Sequence, residues 1–166
     1  QLTDDDNNNL LKRTRSIFFS GFYRSTFILK SELIHFKLLR VLDLRSLGIE
    51  GFPLQILSLI WLRYLSLRSN GHLYIPPEIC RLWNLQTFIV HHPYSSFQAF
   101  FPEQIWELMQ LRHLKSVQMI YAFVLPNCPS ISGKNMGLSN IQTVSGLSSK
   151  CCSKEVILGI QNVKKL

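Results

Sequence analysis

Few residues of this chain have types and spacings that could do chemistry, and they favour no reaction. His91 and His92 are adjacent, so on a strand they would point to opposite faces, and no third ligand completes a metal site. No nucleophile–base pair or carboxylate pair recurs at a useful spacing. The phosphate-binding pattern G-x-x-x-x-G-K-[ST] is absent from the sequence. The sequence therefore predicts no enzyme, no metal site and no cofactor in this chain.

The cysteines and the ends of the chain bear on its compartment. No cysteine lies in a Cys-x-x-Cys pair, and Cys151 and Cys152 are neighbours, which favours a reducing compartment. No apolar run is long enough to span a membrane. The start at Gln1 is polar and acidic and lacks Met, which is no signal peptide and indicates a fragment. We expect a cytoplasmic location, with a peripheral membrane association left open.

The composition is that of a globular protein with an excess of positive charge. Of 166 residues, 46% are hydrophobic and 17% charged, with a formal net charge of +8. That charge could favour nucleic acid, anionic lipid or an acidic protein. The cations form no run, however, which favours the simpler interpretation that they cover a solvated surface.

Apolar residues recur in sets with the spacing +3, +6 and +9. Successive sets begin 23, 23 and 26 residues apart, and a period in the twenties indicates a solenoid, in which stacked units share one core. The sets are Leu33, Phe36, Leu39, Leu42; Ile56, Leu59, Leu62, Leu65; Ile79, Leu82, Leu85, Phe88; and Ile105, Leu108, Leu111, Leu114.

Each unit predicts a short strand followed by a return segment. The strand pattern L-x-x-L-x-L alternates with period two, as at Leu65 and Leu67. A Pro such as Pro76 then precedes a short helical turn with the pattern I-x-x-L. We predict an α/β solenoid with a curved parallel β-sheet on its concave side and short helices and turns on its convex side, in which Leu42, Leu65 and Phe88 share an interior.

The repeat pattern also sets the expected boundaries. Residues 1–12 are a polar lead-in that we expect to be mobile, and residues 13–166 form one repeat domain of about six units. We predict a first strand over residues 14–19, a short helix over 25–38 and an irregular insertion at 119–137. Ser116 replaces an apolar residue and should weaken its column. The chain stops in the middle of a unit, so we expect a truncated C-terminal end.

Two surfaces are candidates for binding. Strand residues between the leucines should form rows on the concave face, which we define as Val41, Asp43, Arg45, Tyr64, Ser66, Arg68, Thr87, Ile89, His91, His113 and Lys115. Cations one place after the opening leucines form a second surface, the basic rim, which we define as Arg15, Arg40, Arg63 and Arg112. Both have simpler interpretations: ordinary solvated strand positions, and long side chains whose stems cover an apolar edge.

The aromatic residues have alternatives of the same kind. For Trp61, Trp83 and Trp106 we predict a packing role. Phe97 and Phe100 lengthen the third unit. Their exposure would indicate a partner contact, whereas packing within the loop is the competing prediction.

The repeat wording resembles a known family. The segments Phe36-Lys-Leu-Leu-Arg-Val-Leu-Asp-Leu44, Leu62-Arg-Tyr-Leu-Ser-Leu67 and Leu138-Ser-Asn-Ile-Gln-Thr-Val-Ser-Gly-Leu147 are similar to leucine-rich repeats of plant coiled-coil, nucleotide-binding disease-resistance proteins, of the late-blight-resistance type found in nightshades.

This resemblance implies an intracellular immune receptor whose repeats sense pathogen effectors, directly or through a guarded host protein. It also implies that the repeats hold the receptor's nucleotide-binding domain at rest, that ADP or ATP binds that upstream domain, and that recognition triggers a hypersensitive response. A generic leucine-rich-repeat scaffold for protein interactions in signalling, or a basic nucleic-acid-binding module, are the alternatives.

Overall fold

The main element of the protein is a six-stranded parallel sheet whose strand order follows the chain. The computed structural model describes residues 12–19, 33–93, 96–117, 123–131, 134–135 and 137–164. Each strand of this sheet pairs with the strand of the same sheet that comes next in the sequence, so the predicted stacking of successive coils is confirmed. The strands of this sheet are β1 (Ser16–Phe18), β2 (Val41–Ile49), β3 (Tyr64–Ser69), β5 (Thr87–His91), β7 (His113–Val117) and β11 (Thr143–Ser145).

A second, smaller parallel sheet follows the same repeat. Its strands β4 (Leu73–Tyr74), β6 (Ala99–Phe100) and β8 (Phe123–Val124) pair in that order. Phe100 stacks on Tyr74 with ring centroids 4.9 Å apart, and the Phe97 ring lies 5.8 Å from that of His72. Neither Phe97 nor Phe100 is fully exposed, so packing within the loop is the alternative that the structure supports.

The return segments are short helices, as the repeat predicts. Pro53, Pro76 and Pro102 each precede a 3₁₀ helix, and their carbonyls accept hydrogen bonds of 3.0 Å from the amides three residues on. Proline suits this place because its fixed φ starts the turn and no donor is needed there. The helices are η1 (Leu33–His35), η2 (Leu54–Ser58), η3 (Pro77–Arg81), η4 (Glu103–Glu107), η5 (Ser149–Cys151) and the α-helix α1 (Lys154–Gly159).

The core is a set of columns that run from coil to coil. Leu42 pairs in register with Leu65, and Leu65 with Phe88. Leu114 and Val144 continue the column, and all five side chains are at most 1% exposed. This confirms that the three residues singled out from the sequence share one interior.

Asparagine side chains tie neighbouring coils together beside these columns. The Nδ2 atoms of Asn84, Asn140 and Asn162 donate to main-chain carbonyls of the preceding coil, at 2.9, 2.7 and 2.9 Å. The acceptors are the carbonyls of Ile60, Met109 and Ser139. The three asparagines occupy the same position of the repeat in the sequence, and these hydrogen bonds explain why Asn recurs there.

The ends of the repeat differ in part from the prediction. The first strand is β1, inside the expected range 14–19. Of the predicted helix at 25–38, only residues 33–38 are described, and η1 is a single 3₁₀ turn; residues 25–32 lie outside the described residues. Residues 1–11 also lie outside them.

The segment 119–137 is not irregular throughout. Its first described residues form β8, which pairs in parallel with β6 and therefore belongs to the repeat. A short antiparallel pair, β9 (Ser130–Ile131) and β10 (Lys134–Asn135), follows. The remaining residues 119–122, 132–133 and 136 lie outside the described residues. The prediction of an irregular insertion over residues 119–137 is therefore wrong for residues 123–124, because these keep the strand pairing of the coil before them.

Two serines whose hydroxyl groups are buried give a test of the packing. Ser116 pairs with Val90 in an apolar column, and its buried Oγ has no hydrogen-bond partner within the described residues. The Oγ of Ser66, by contrast, lies 3.1 Å from His91 Nε2. We expect Ser116→Ala to leave the free energy of unfolding unchanged or raise it, and Ser66→Ala to lower it by about 1 kcal/mol. Urea denaturation of the 166-residue chain measures both, and a larger loss for Ser116→Ala would contradict this account.

Candidate protein-binding face

The register places the predicted concave-face residues in two regular rows. One row runs through Val41, Tyr64, Thr87 and His113, and continues to Thr143. The other runs through Asp43, Ser66, Ile89 and Lys115. Because neighbouring strands are about 4.8 Å apart, each row is a ladder of side chains on a rigid sheet.

Two members of the second row do not reach the surface. Asp43 is only 3% exposed and Ser66 is fully buried. The Oδ1 atom of Asp43 accepts from the amide of Arg45 at 3.0 Å, and its Oδ2 atom lies 3.1 Å from Arg45 Nε. The prediction that Asp43 and Ser66 present a binding surface is therefore wrong, because the side chains of Arg45 and His91 pack over them. Both residues instead position their neighbours.

The predicted rows would place Arg45, Arg68 and His91 side by side, but Arg45 does not stand opposite Arg68. The pairing of β2 with β3 shifts after Leu44, so that Gly48, and not Arg45, lies opposite Arg68. Residues 45–47 are extra residues in β2, a bulge that turns Arg45 back towards Asp43. The rest of that row keeps its register, since Arg68 pairs with His91 and His91 with Val117.

The remaining face residues offer a mixed surface for contact. Tyr64, Thr87 and Ile89 are each partly exposed, as are His113 and Lys115. His113 Nδ1 lies 3.3 Å from the hydroxyl oxygen of Thr143, a residue that the sequence argument left out of the face. The strand pattern at 140–144 could have included it. Burial, followed by the positive charges of Lys115 and Arg112, lowers the pKa of His113.

A pocket opens at the ends of β3 and β5, beside the bulge in β2. It has a volume of about 260 Å³ and is lined by Arg45, Arg68, His91 and Pro93. Desolvation by burial is the main cause that lowers the pKa of His91; nearby Asp43 raises it, while Arg45 and Arg68 lower it. Although Arg45 is displaced from its place opposite Arg68, it still lines the same pocket as Arg68 and His91.

The basic rim follows a continuous ladder of main-chain hydrogen bonds. The amide of Arg40 donates to the carbonyl of Arg15, that of Arg63 to Arg40, and that of Arg112 to Gln86, each at 2.8 Å. All four arginines of the rim are exposed. Within the described residues, none of them forms an ion pair with a carboxylate, although Arg15 Nη1 donates to the carbonyl of Leu38 at 3.3 Å.

Exposed apolar side chains lie beside the basic rim. Trp61 and Trp83 are 44% and 52% exposed, with ring centroids 6.3 Å apart. The packing role predicted for both is therefore confirmed only in part, since each ring contacts the other but is about half exposed. Trp106 is 2% exposed and packs as predicted. Leu38 and Trp61 each stand two residues before a rim arginine, a repeat signal that could have identified this surface.

The structure also bears on metals and membranes. Within the described residues, no group of three or more His, Cys, Asp and Glu side chains is arranged to hold a metal ion. His91 lines the pocket while His92 is fully buried, as adjacent strand residues on opposite faces should be. Across the same described parts of the chain, no helix combines the length and apolar character that crossing a membrane requires.

Comparison with known proteins identifies relatives of this chain. Residues 13–166 match the family described as leucine-rich repeat region. The late blight resistance protein homolog R1B-16 of Solanum demissum is 41% identical over 83 residues, which are 49% of this chain and 6% of that protein. The homolog R1B-14 of the same species is 32% identical over 141 residues, which are 82% of this chain and 10% of that protein. This chain thus spans about a tenth or less of the length of these relatives.

A solved structure is also similar to the chain. It is a leucine-rich-repeat protein of Leptospira interrogans, with 16% sequence identity and a TM-score of 0.40, and the match covers 100% of this chain and 52% of that one.

The buried His92 predicts a dependence of stability on pH. Burial, and then the nearby His72 and His91, lower its pKa, and neither ring nitrogen has a hydrogen-bond partner within the described residues. Below pH 6.5 the unfolded chain binds more protons at this site than the folded chain, so stability falls as the pH falls towards the lowered pKa. We expect His92→Phe to lose less stability than the unmodified chain between pH 7 and pH 5.

Urea midpoints at the two pH values measure this effect, and each unit of pKa lowering corresponds to about 1.4 kcal/mol. His35→Gln is the control, because His35 is exposed in η1. Equal losses in His92→Phe and in the unmodified chain would contradict the prediction.

Proposed function

Since the chain belongs to the leucine-rich repeat family, and to the late-blight-resistance type within it, we propose that it is the recognition and regulatory region of a plant immune receptor. In this proposal the repeats catalyse nothing. They sense a pathogen effector, directly or through a guarded host protein, and trigger the defence response of a cytoplasmic receptor. The nucleotide binds an upstream domain of the receptor and not this chain.

The ordered rows of the concave face are the observation that supports recognition. Binding surfaces benefit from a rigid scaffold, since less conformational entropy is lost when a partner binds. Here Tyr64, Thr87 and Ile89 are held by parallel strands in register. A partly exposed Tyr within a mixed polar and apolar surface has the composition of an interaction hot spot.

The basic rim supports the regulatory part of the proposal. Its exposed arginines follow one another along a hydrogen-bonded edge, so like charges are close together and an acidic partner would relieve their repulsion. The neighbouring Trp61 and Trp83 add exposed aromatic surface, and Trp and Arg are the residues most enriched at binding hot spots. We propose that the receptor's own nucleotide-binding domain covers this rim in the resting state.

The recognition role is tested by a tyrosine pair. In the full-length receptor, Tyr64→Ala should abolish or strongly weaken the response to a pathogen strain that the unmodified receptor recognises, because it removes an anchor from the concave face. Tyr74→Ala is the matched control, since Tyr74 is 67% exposed on the second sheet. Leaf cell death and receptor abundance are measured together. Normal recognition by Tyr64→Ala at normal abundance would argue against the concave face.

The regulatory role is tested by charge reversal at the rim. Changing Arg40, Arg63 and Arg112 together to Glu should release the nucleotide-binding domain and give cell death without a pathogen. A control with the same change in charge replaces the exposed Arg13, Arg81 and Lys154 with Glu. An absence of cell death in the rim variant without a pathogen, or equal cell death in both variants, would contradict the docking proposal. In the first case the long side chains merely cover the apolar edge.

A further inference from the structure

The pocket at the ends of β3 and β5, beside the bulge in β2, brings together three basic side chains that are far apart in sequence. Arg45, Arg68 and His91 line it, and Pro93 forms a rigid wall. Its volume of about 260 Å³ is far above the roughly 10–15 Å³ that a cavity needs to hold one water. The pocket can therefore hold the terminal group of a side chain and not only solvent.

Other side chains fix the basic groups in place. Asp43 binds both the amide and the Nε atom of Arg45, so that the Nη groups of Arg45 remain available. The Oγ of the fully buried Ser66 lies 3.1 Å from His91 Nε2 and sets the position of the ring. Arg68 has no carboxylate partner among the described residues. The site is thus partly preorganised before any ligand arrives.

The charges of the site select the ligand. Arg45 and Arg68 contribute two positive charges and Asp43 one negative charge, while burial favours the neutral form of His91. The net charge near the pocket is therefore +1 at neutral pH. A single carboxylate matches this net charge, whereas a phosphate dianion exceeds it.

We propose that this pocket binds the carboxylate of an Asp or Glu side chain presented by a protein segment that lies along the concave face. The free guanidinium of Arg68 supplies a fork of N–H donors that matches a carboxylate. Arg45, on the adjacent strand β2, and His91, on β5, line the pocket on either side of Arg68. The proposal rests on the proposed function, because a protein partner on this face must present the acidic residue.

Binding is coupled to the protonation of His91. Three charged groups face its ring: Asp43, which favours the protonated form, and Arg45 and Arg68, which oppose it. A bound carboxylate adds a second negative charge and therefore favours proton uptake by His91. Binding should become tighter as the pH falls from 7.5 to 5.5, where a glutamate ligand with a pKa of about 4.3 is still ionised.

The test uses the 166-residue chain and a capped decapeptide of alternating glycine and glutamate. We expect saturable NMR shifts at the His91 ring and at Arg68 Nε, and none with the matched peptide of glycine and glutamine. Arg68→Gln should weaken binding about tenfold or more, consistent with the loss of a charge-assisted pair. Arg81→Gln removes the same charge from an exposed position outside the pocket and should change the affinity less than twofold.

Several outcomes would overturn the proposal. Equal weakening by Arg68→Gln and Arg81→Gln would show attraction to overall charge alone. Equal binding of the glutamine peptide would show that no carboxylate is required. Tighter binding of inorganic phosphate, seen as shifts of the same resonances, would identify phosphate as the preferred ligand. Circular dichroism checks the fold of each variant. If Arg68→Gln does not fold, Arg68→Lys keeps the charge without the fork and should still weaken binding.

Failure of the pocket is distinguishable from failure of the proposed function. In the full-length receptor, Arg68→Gln with normal recognition, alongside Tyr64→Ala without recognition, would reject the pocket and keep the concave face. Normal recognition by both variants would argue against the face as a whole.

Discussion

The contact between one coil and the next is the constraint on which the rest of this structure depends. Ordering the backbone costs about 1–2 kcal/mol per residue, and a coil of about 23 residues has no interior of its own. The column through Leu42, Leu65 and Phe88 supplies that interior across coil boundaries. The ladder of main-chain hydrogen bonds along the rim, from Arg15 to Lys164, fixes the same alignment at the edge. Any side chain on the sheet therefore has its neighbours chosen by the repeat register.

That constraint explains which features the sequence could predict. A repeat that is copied many times encodes the column, the prolines before the 3₁₀ helices and the row from Tyr64 to Thr87. A departure from the pattern at one position does not change the predicted register, because the other copies still define it. The second sheet has no such signal. Its strands, such as Leu73–Tyr74, are two residues long, too short for an alternating pattern. Main-chain hydrogen bonds and ring contacts such as that of Tyr74 with Phe100 join these strands across coils, and no local spacing encodes them.

The bulge in β2 shows a different limit. The coils that begin at Leu39 and Leu62 are both 23 residues long, so the repeat spacing gives no sign that residues 45–47 are extra in the strand. The strand continues to Ile49 by using residues that form a loop in the next coil. The burial of Asp43 follows from this geometry, because the turned-back Arg45 covers it. An Asp two residues before an Arg on one strand face is the sequence signal, since a buried carboxylate needs such a partner.

Exposure is harder to predict than position, and the tryptophans show why. Trp61, Trp83 and Trp106 all lie on return segments, yet only Trp106 is buried. The repeat determines where each ring stands, whereas burial depends on whether another element covers that place. The same reasoning applies to the pocket. A regular register would place Arg45 directly opposite Arg68, in a flat row of like charges. The local break in β2 instead pairs one cation and leaves a concave group of three basic side chains.

A solenoid tolerates such a break because each coil is anchored on both sides. The residues before the bulge, Val41 to Leu44, keep their register with β3, and β3 keeps its register with β5. The disturbance therefore stays within one coil while the columns beneath it remain intact. Irregularity on the concave face is then compatible with a regular core, so a repeat protein can change what it binds by altering single strands. The basic pocket of this face accordingly lies where one coil departs from the repeat, whereas the apolar columns that stabilise the fold lie where the coils are alike.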